Sequence, residues 1–324
     1  MFPIRQCISL LLCLAAATAS AQGYPNRAVK MVVGSSAGSS TDVVGRVIAD
    51  GLQKRLGQAF VIENKPGANG IPAAEAVARA APDGYTLLVG FASQLNMNGH
   101  VYANVRYDAE KDFAPITPVI TAPFVLLINP ANPKVSSVKT MQDLIALAKA
   151  KPGSLTFGSA GIGSAIHIVG AQMASAFDLD IVHVPYKGAA PMETGLLGSE
   201  VDFAFDNLSG VPLAKKGLLR ALAVTGANRW PALPDVPSTS ELGMPATLNA
   251  ASWFGLLAPA GTPAAIVQIL NKEITDIANQ PAARETLLKF GFVTPMAPAA
   301  FASQLKTELR QNGEIVKKLN IKLD

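Results

Sequence analysis

The chain has 324 residues and a formal net charge of +4, with 49% hydrophobic and 15% charged residues. This balance is typical of a globular protein and excludes a disordered one. Because the cations are scattered, with no basic stripe and no interleaved aromatic residues, the sequence also argues against nucleic acid as a partner.

The N-terminus has the pattern of a secretory signal peptide in residues 1–21. Arg5 supplies the positive charge, residues 8–17 form an apolar run, and Ala-Ser-Ala at residues 19–21 forms a small-residue cleavage site. This segment is too short to span a membrane. We therefore expect an exported chain whose mature form begins at Gln22.

Cysteine and histidine positions argue against metal and thiol chemistry. Cys7 and Cys13 both lie in the signal segment, so the mature chain has no disulfide, cysteine ligand or thiol nucleophile. The three histidines, His100, His167 and His183, do not show the spacing of metal ligands. We predict no metal, no cofactor and no catalytic residues.

Strand and helix patterns alternate along the mature chain. In the first part, strands are predicted at 29–33, 59–63 and 86–89, and helices at 42–56 and 73–80. This βαβαβ order predicts a parallel, doubly wound α/β sheet. Residues 113–130 contain several prolines, and we interpret them as a crossover into a second lobe.

The second lobe repeats the alternation. Helices are predicted at 138–150, 164–177 and 190–197, and strands at 155–157, 181–184, 202–205 and 220–225. A strand at 253–258 then returns to the first lobe, and helices at 263–278, 282–290 and 298–318 close the chain. The predicted domains are thus residues 22–122 plus 250–324 for lobe 1 and residues 123–249 for lobe 2.

A Gly/Ser-rich loop, residues 34–42, connects the first strand to a helix start. Backbone N–H groups and hydroxyls at the positive end of a helix can bind an anion. An ordinary turn with a Ser or Thr N-cap is the alternative. The loop also matches the nucleophile elbow G-x-S-x-G, in which Ser36 would be the nucleophile of an esterase and His167 or His183 its base.

A second loop of similar composition, residues 158–164, also follows an apolar strand. It lacks the lysine of a phosphate-binding loop and the third glycine of a dinucleotide fingerprint. Ser159 and Ser164 can donate hydrogen bonds to an anion, and Gly161 and Gly163 allow its close approach. His167 lies one helical turn further on, where it either faces a cleft or packs inside the protein.

Polar residues also follow two later strands. Tyr186 and Gly188 come after the strand at 181–184, and Asp206 follows the strand at 202–205. The carboxyl ends of strands are where ligands bind in α/β sheets. A lining role and a structural role remain open for each of these residues, and we expect Lys187 to face solvent.

Eight motifs spread over the mature chain support a family resemblance. They are Tyr24-Pro25, E-N-K-P-G-A-N-G at 63–70, A-A-P-D-G-Y-T-L-L at 80–88, D-F-A-P-I at 112–116, the loop at 158–164 with His167, V-P-Y-K-G at 184–188, R-A-L-A-V-T at 220–225 and L-P-D-V-P at 233–237. Together they resemble the extracytoplasmic solute receptors of tripartite tricarboxylate transporters, also called Bug-type receptors.

The resemblance implies a type II periplasmic binding protein with two doubly wound α/β lobes joined by a hinge of crossing strands. It further implies a monomer in the periplasm that binds a small carboxylate in the cleft between its lobes. Backbone amides and ordered waters would hold the ligand, which would pass unchanged to a membrane permease. A receptor that signals to a membrane sensor is the alternative within this class.

The resemblance also implies a set of ligand-binding positions in both loops and in three further segments. These are Ser35, Ser36, Gly38, Ser39, Ser40, Thr41, Asp42, Ser93, Asn98, Ser159, Gly161, Ile162, Gly163, Ser164, His167, Tyr186, Gly188 and Asp206.

The chain departs from the family pattern at several of the surrounding positions. Gly34-Ser35 replaces the usual Pro-Phe, Ser39 replaces a frequent Gly, and Gln94-Leu95 replaces residues that are typically Thr and His. Since the missing Phe normally walls the pocket, we expect a roomier and more polar site. An aromatic or longer dicarboxylate would suit such a site.

Overall fold

The computed structural model describes residues 23–208, 210–248 and 250–318. The predicted signal peptide and its cleavage site before Gln22 lie outside the described residues. In the part of the chain described here, no helix is both long enough and apolar enough to cross a membrane.

The helices and strands are labelled in chain order. The first are β1 (Val29–Val33), α1 (Ser40–Leu56), β2 (Phe60–Asn64), α2 (Ile71–Ala78), β3 (Thr86–Phe91), α3 (Ala92–Asn96), α4 (Asn98–Val101) and β4 (Phe113–Pro123). The next are β5 (Val125–Ile128), α5 (Met141–Ala150), β6 (Thr156–Ser159), α6 (Ala165–Phe177), β7 (Val182–Pro185), α7 (Ala189–Leu197), β8 (Phe203–Asp206), α8 (Gly210–Lys215) and β9 (Arg220–Val224). The last are β10 (Ala251–Pro259), α9 (Ala264–Asn279), α10 (Pro281–Leu288), β11 (Phe292–Val293) and α11 (Pro298–Lys318).

These strands form two mixed sheets, and the elements around each sheet are called lobe 1 and lobe 2. The sheet of lobe 1 has the order β11-β4-β10-β3-β1-β2, and the sheet of lobe 2 has the order β7-β6-β8-β5-β9. β1 is parallel to both β2 and β3, which confirms the predicted βαβαβ unit. β10 and β5 run antiparallel to their neighbours. The predicted lobe boundaries stay a prediction.

Helices cover both faces of the lobe 1 sheet. Alternate residues of a strand point to opposite faces, so Met31 packs with Val44 of α1 and Leu270 of α9 in one core. Val32 packs instead on the other face, with Phe301 of α11. This is the layering of a doubly wound sheet, and it leaves the strand ends open for loops that can bind a ligand.

The passage at 113–130, which we interpreted as a crossover, is instead two strands, β4 and β5. Proline is rare in central strands because it donates no ladder hydrogen bond. Pro115 and Pro118 are accommodated because the pairing of β4 with β10 shifts register beside each of them. On its other side β4 pairs only through Thr121 and Ile120, with β11.

Thr225 ties together the two places where the chain passes between the lobes. Its backbone N–H donates to the Phe124 carbonyl, and its Oγ1 accepts from the Phe124 N–H, both at 2.8 Å. The same hydroxyl donates to the Ala250 carbonyl at 2.5 Å. One side chain thus bonds both crossing segments.

The lobes also touch away from the hinge. Met97 and Val101 beside α4, Ile168 of α6 and Val316 of α11 form a small apolar cluster. Because α6 belongs to lobe 2 and the other residues to lobe 1, this cluster holds the two lobes against each other.

Two of the sequence motifs meet at the first described residues. Tyr24 Oη donates to the Gly84 carbonyl at 2.7 Å. Arg27 pairs with Asp83 at 2.9 Å and lies 4.1 Å from the centre of the Tyr85 ring. The Tyr-Pro motif and the A-A-P-D-G-Y motif therefore form one contact between the start of lobe 1 and the turn before β3.

Candidate functional site: two helix N-termini, one in each lobe

The first loop leads directly into the N-terminus of α1. Ser39 is the N-cap, with extended backbone (φ −67°, ψ 163°), and its Oγ accepts from the Asp42 N–H at 3.3 Å. The N–H groups of Ser40 and Thr41 occupy the first helical positions, where no carbonyl of the same helix can accept from them. They lie at the positive end of the helix, which is an arrangement suited to an anion.

Asp42 organises this loop from inside. It is 1% exposed and accepts from Gly38 N–H, Asn64 Nδ2 and Arg46 Nε at 2.8–2.9 Å. Burial alone would raise the pKa of this carboxyl, but the hydrogen bonds from Arg46, Gly38 and Asn64 outweigh burial and lower it. Asp42 therefore stays ionised and shapes the loop, whereas Ser36 and Gly38 face outward.

The second loop leads into α6 in the same way. Ser164 is the N-cap (φ −65°, ψ 155°), and its Oγ accepts from the His167 N–H at 3.2 Å. The N–H groups of Ala165 and Ile166 then occupy the first helical positions, without a carbonyl of the same helix to accept from them. Ile162 is 44% exposed and forms the apolar tip of the loop.

Several predicted contacts of the second loop are used within the loop itself. The Ser159 hydroxyl is fully buried and bonds to His183 Nε2 at 2.7 Å and to the Gly161 N–H at 3.2 Å. The Gly163 N–H donates to His167 Nδ1 at 3.1 Å. Ser159 and Gly163 therefore fix the shape of the loop.

His167 is a buried residue of α6, the helix that follows the second loop, and one of its ring nitrogens is a hydrogen-bond donor. Since Nδ1 accepts from Gly163, the ring proton lies on Nε2, which bonds to no residue that the structure describes. Burial lowers the pKa of His167. Burial and the neighbouring His167 lower the pKa of His183 to about 4. Both rings are thus neutral at pH 7.

The segment after β3 contributes Ser93 and a supporting network. Asn98 is fully buried, with its side chain bonded to Asn69 and to the Tyr107 hydroxyl. Ser93 bonds to Asn69 at 3.3 Å and is partly exposed. Asn98 is thus placed to support the segment, and Ser93 is the residue at its surface.

Ser93 also marks where the two lobes meet. Together with Ala165, at the N-terminus of α6, it lines a cavity of about 60 Å³ between the lobes. The segment after β3 and the second loop's helix are therefore neighbours in the folded protein.

Three predicted positions of lobe 2 have structural partners. The Tyr186 hydroxyl donates to Glu200 at 3.0 Å, and its ring packs against Gly195 of α7. The Gly188 N–H donates to the Ala160 carbonyl at 3.1 Å. Asp206, at the end of β8, is fully buried and accepts from the Asn207 N–H. These contacts support the strand ends from inside the lobe.

Sequence reasoning missed Asn69 and Gln94, which lie behind the first loop. Asn69 has a left-handed backbone (φ 49°), a conformation that Asn tolerates better than most residues. Its place in the motif A-N-G could have suggested this turn. Gln94 was noted only as a departure from the family pattern, and its side chain lies between Gly34 and Gly70.

The arrangement gives no support to esterase chemistry. Among the described residues, the Ser36 hydroxyl has no histidine partner, and both candidate bases are bonded to the second loop. Nor do the described residues contain a group of three His, Cys, Asp or Glu side chains able to hold a metal ion.

Comparisons with known proteins show the family of this chain. Residues 44–321 match the family model of the tripartite tricarboxylate transporter family receptor. BugT from Bordetella pertussis is 34% identical over 311 residues, which cover 95% of this chain and 94% of BugT.

Two solved structures from Rhodopseudomonas palustris resemble the whole fold. Rpa4515, solved with adipate, is 34% identical with a TM-score of 0.79, and the match covers 93% of this chain and 100% of that one. MatC, solved with malate, is 31% identical with a TM-score of 0.75 and covers 90% and 100%. These relatives are solute-binding receptors, not enzymes. The present chain therefore belongs to the family of tripartite tricarboxylate transporter receptors.

Proposed function

We propose that this protein is a periplasmic receptor that captures a small carboxylate between its lobes and delivers it to the membrane permease of a tripartite tricarboxylate transporter. The observation that carries the proposal is the pair of matching helix N-termini. Ser39 caps α1 in lobe 1, and Ser164 caps α6 in lobe 2. Each end offers outward N–H groups at a positive helix end.

Neutral donors suffice for such a ligand. A hydrogen bond to a charged group is worth about 1.5–3 kcal/mol. Several of them in a cleft shielded from water reach micromolar affinity, about 8 kcal/mol, after the costs of ordering are subtracted. The adipate and malate in the two related structures are carboxylates of this kind.

We favour a longer or aromatic dicarboxylate over a small hydroxy acid. Gly34 has no side chain and Ser35 is small, while Ser36 and Gly38 are exposed, so the first loop leaves room above it. The apolar tip residue Ile162 could cover a hydrocarbon spacer between the two carboxylates.

The mechanism that fits is closure of the two lobes around the ligand. Lobe 1, proposed as residues 22–122 plus 250–324, binds one carboxylate, and lobe 2, residues 123–249, closes onto the other end. The ligand favours the closed state only through the contacts that it gains there. The receptor would act as a monomer.

A thermal-shift screen of residues 22–324 tests this function. Adipate, malate and terephthalate would be compared with adipamide, which has the length of adipate and no charge. At 100 times the dissociation constant, a ligand stabilises the folded state by about 2.7 kcal/mol. We expect a raised melting temperature with at least one dicarboxylate and none with adipamide. Equal shifts with adipate and adipamide would contradict an anion receptor.

Uptake of the active carboxylate by cells with and without the gene then tests delivery. Loss of uptake supports transport. Intact uptake with a lost transcriptional response to the ligand would support signalling instead.

A further inference from the structure

The side chain of Gln94 fills a slot lined by three glycines behind the first loop. Gln94 is fully buried in α3. A Cβ atom placed on Gly34 or on Gly70 would lie 2.6 Å from Gln94 Nε2, and one on Gly90 would lie 3.4 Å from Gln94 Oε1. Real Cβ atoms do not approach other atoms so closely. A side chain at position 34 or 70 would therefore clash with the Gln94 side chain.

The slot joins parts of lobe 1 that are distant in sequence. Gly34 is the first residue of the first loop, Gly70 directly precedes α2, and Gly90 lies in β3. Gln94 Nε2 donates to the Gly70 carbonyl at 2.8 Å, and the Tyr107 hydroxyl donates to the Gln94 backbone carbonyl. One side chain thus fixes where the first loop begins relative to the neighbouring Ser93.

The slot also holds a buried polar atom without a partner. Gln94 Oε1 is buried and has no hydrogen-bond partner in the described part of the chain. Such an unpaired buried acceptor is rare in folded proteins and calls for an explanation. The side chain is therefore held in the slot by its shape and by the bond of Nε2 to the Gly70 carbonyl, while its oxygen has no partner among the described residues.

From this geometry we infer that Gln94 is a positioning residue for ligand binding, and that positions 34 and 94 act as a coupled pair. Gln94 fills the space beneath Gly34. It thereby sets the distance between Ser93 and the outward N–H groups of the first loop. The inference rests on the proposed function, since it concerns the affinity of the same site.

A double-mutant cycle with Gly34→Ala and Gln94→Ala tests the coupling. Gly34→Ala alone forces a methyl group against Nε2, and Gln94→Ala alone empties the slot. We expect each to weaken binding of the active dicarboxylate about tenfold or more. Gln94→Ala removes the contact of the new methyl group with Nε2, while the 3.0 Å approach of that methyl group to the Gly70 Cα remains. The double variant should therefore bind more tightly than the product of the two single losses allows, without recovering wild-type affinity.

Melting temperatures of the same four proteins separate positioning from packing. The inference is supported if the two substitutions are coupled more strongly in their effect on affinity than in their effect on melting temperature. Additive losses of affinity, or coupling confined to the melting temperature, overturn it.

Two more variants keep the test decisive if Gly34→Ala does not fold. Gln94→Met keeps the length of the side chain and should bind within about threefold of wild type, whereas Gln94→Ala should not. Gln53→Ala, at an exposed glutamine of α1, is the matched control and should leave binding unchanged. Wild-type affinity in Gln94→Ala would overturn the inference. A failure of the proposed function would be seen separately, as wild-type protein that binds no dicarboxylate of the screen.

Discussion

The imidazole rings of His167 and His183 stack face to face, with centroids 3.9 Å apart and planes inclined by 7°. Phe157 also stacks on His183, with ring centroids 4.7 Å apart. Each histidine also bonds to the second loop, His167 through the Gly163 N–H and His183 through the Ser159 hydroxyl. The shape of the second loop therefore depends on two rings that must both remain neutral.

Stability should fall in mild acid because of His183. Its pKa is lowered to about 4 by burial and by His167, whereas an unfolded chain has a histidine pKa of about 6.5. Between these values the unfolded state binds a proton that the folded state does not, so stability rises with pH. The stability present above about pH 6.5 is therefore lost as the pH falls toward 4.

Urea denaturation from pH 4 to pH 8 checks this slope. His183→Asn should flatten the curve between pH 4 and pH 6.5. An identical slope in His183→Asn and wild type would show that another group causes the acid sensitivity.

Asp42→Asn should weaken both the first loop and carboxylate binding. The Asp42 carboxylate accepts hydrogen bonds from Arg46, Asn64 and Gly38. The amide of Asn has only one oxygen and cannot replace all three bonds. Because the site is buried, we expect a loss of about 1–3 kcal/mol in the free energy of unfolding, measured by urea titration. Asp50→Asn removes an exposed pair with Lys54 on the same helix and should cost less than about 1 kcal/mol. Similar losses in both variants would contradict the role of Asp42.

Gly163→Ala should impair the second loop through its backbone. Gly163 has φ +75°, a conformation that costs a residue with a Cβ about 1–2 kcal/mol. Gly217 has φ +70° with no atom near its missing Cβ, so Gly217→Ala measures the same strain away from the site. We expect similar losses of melting temperature in both and a loss of dicarboxylate affinity in Gly163→Ala alone. Unchanged affinity in Gly163→Ala would mean that the loop does not bind the ligand.

Ile168→Ala should weaken binding without touching the ligand. Ile168 packs with Met97, Val101 and Val316 across the lobe contact, and its truncation removes apolar area that is buried only while the lobes touch. We expect faster ligand dissociation and a Kd raised about tenfold, since about 1.4 kcal/mol corresponds to that factor. Small-angle scattering of the ligand-free variant should give a larger radius of gyration than wild type. An unchanged radius would argue against a contact that holds the lobes closed.

Much of the fold follows from local patterns in the sequence. Apolar periodicity placed β1, β3, α6 and α11 within a few residues of their observed bounds. Both loops were predicted from the same physical signal, a Gly/Ser-rich turn between an apolar strand and a helix start. In the structure, Ser39 and Ser164 are the N-caps of these helices.

The rest depends on contacts that no local pattern encodes. β4 was missed because proline argues against a strand, and its prolines are accommodated by register shifts toward β10 and by the short pairing with β11. The stack of His167 on His183 joins a helix to a strand, and the direction of each side chain is set by the packed lobe. For the same reason, the sequence could not indicate that Asn98 bonds to Asn69 and Tyr107 or that Tyr186 packs against α7.

The contact of Tyr24 with Gly84 spans 60 positions of the chain. Such a contact cannot form until the turn before β3 is itself in place, because the cost of closing a long loop must be met first. We therefore expect the first described residues to join lobe 1 after the β1–α1–β2–α2–β3 unit has assembled. Hydrogen exchange during refolding should accordingly protect the backbone amides of Val32 and Leu88 before that of Asn26.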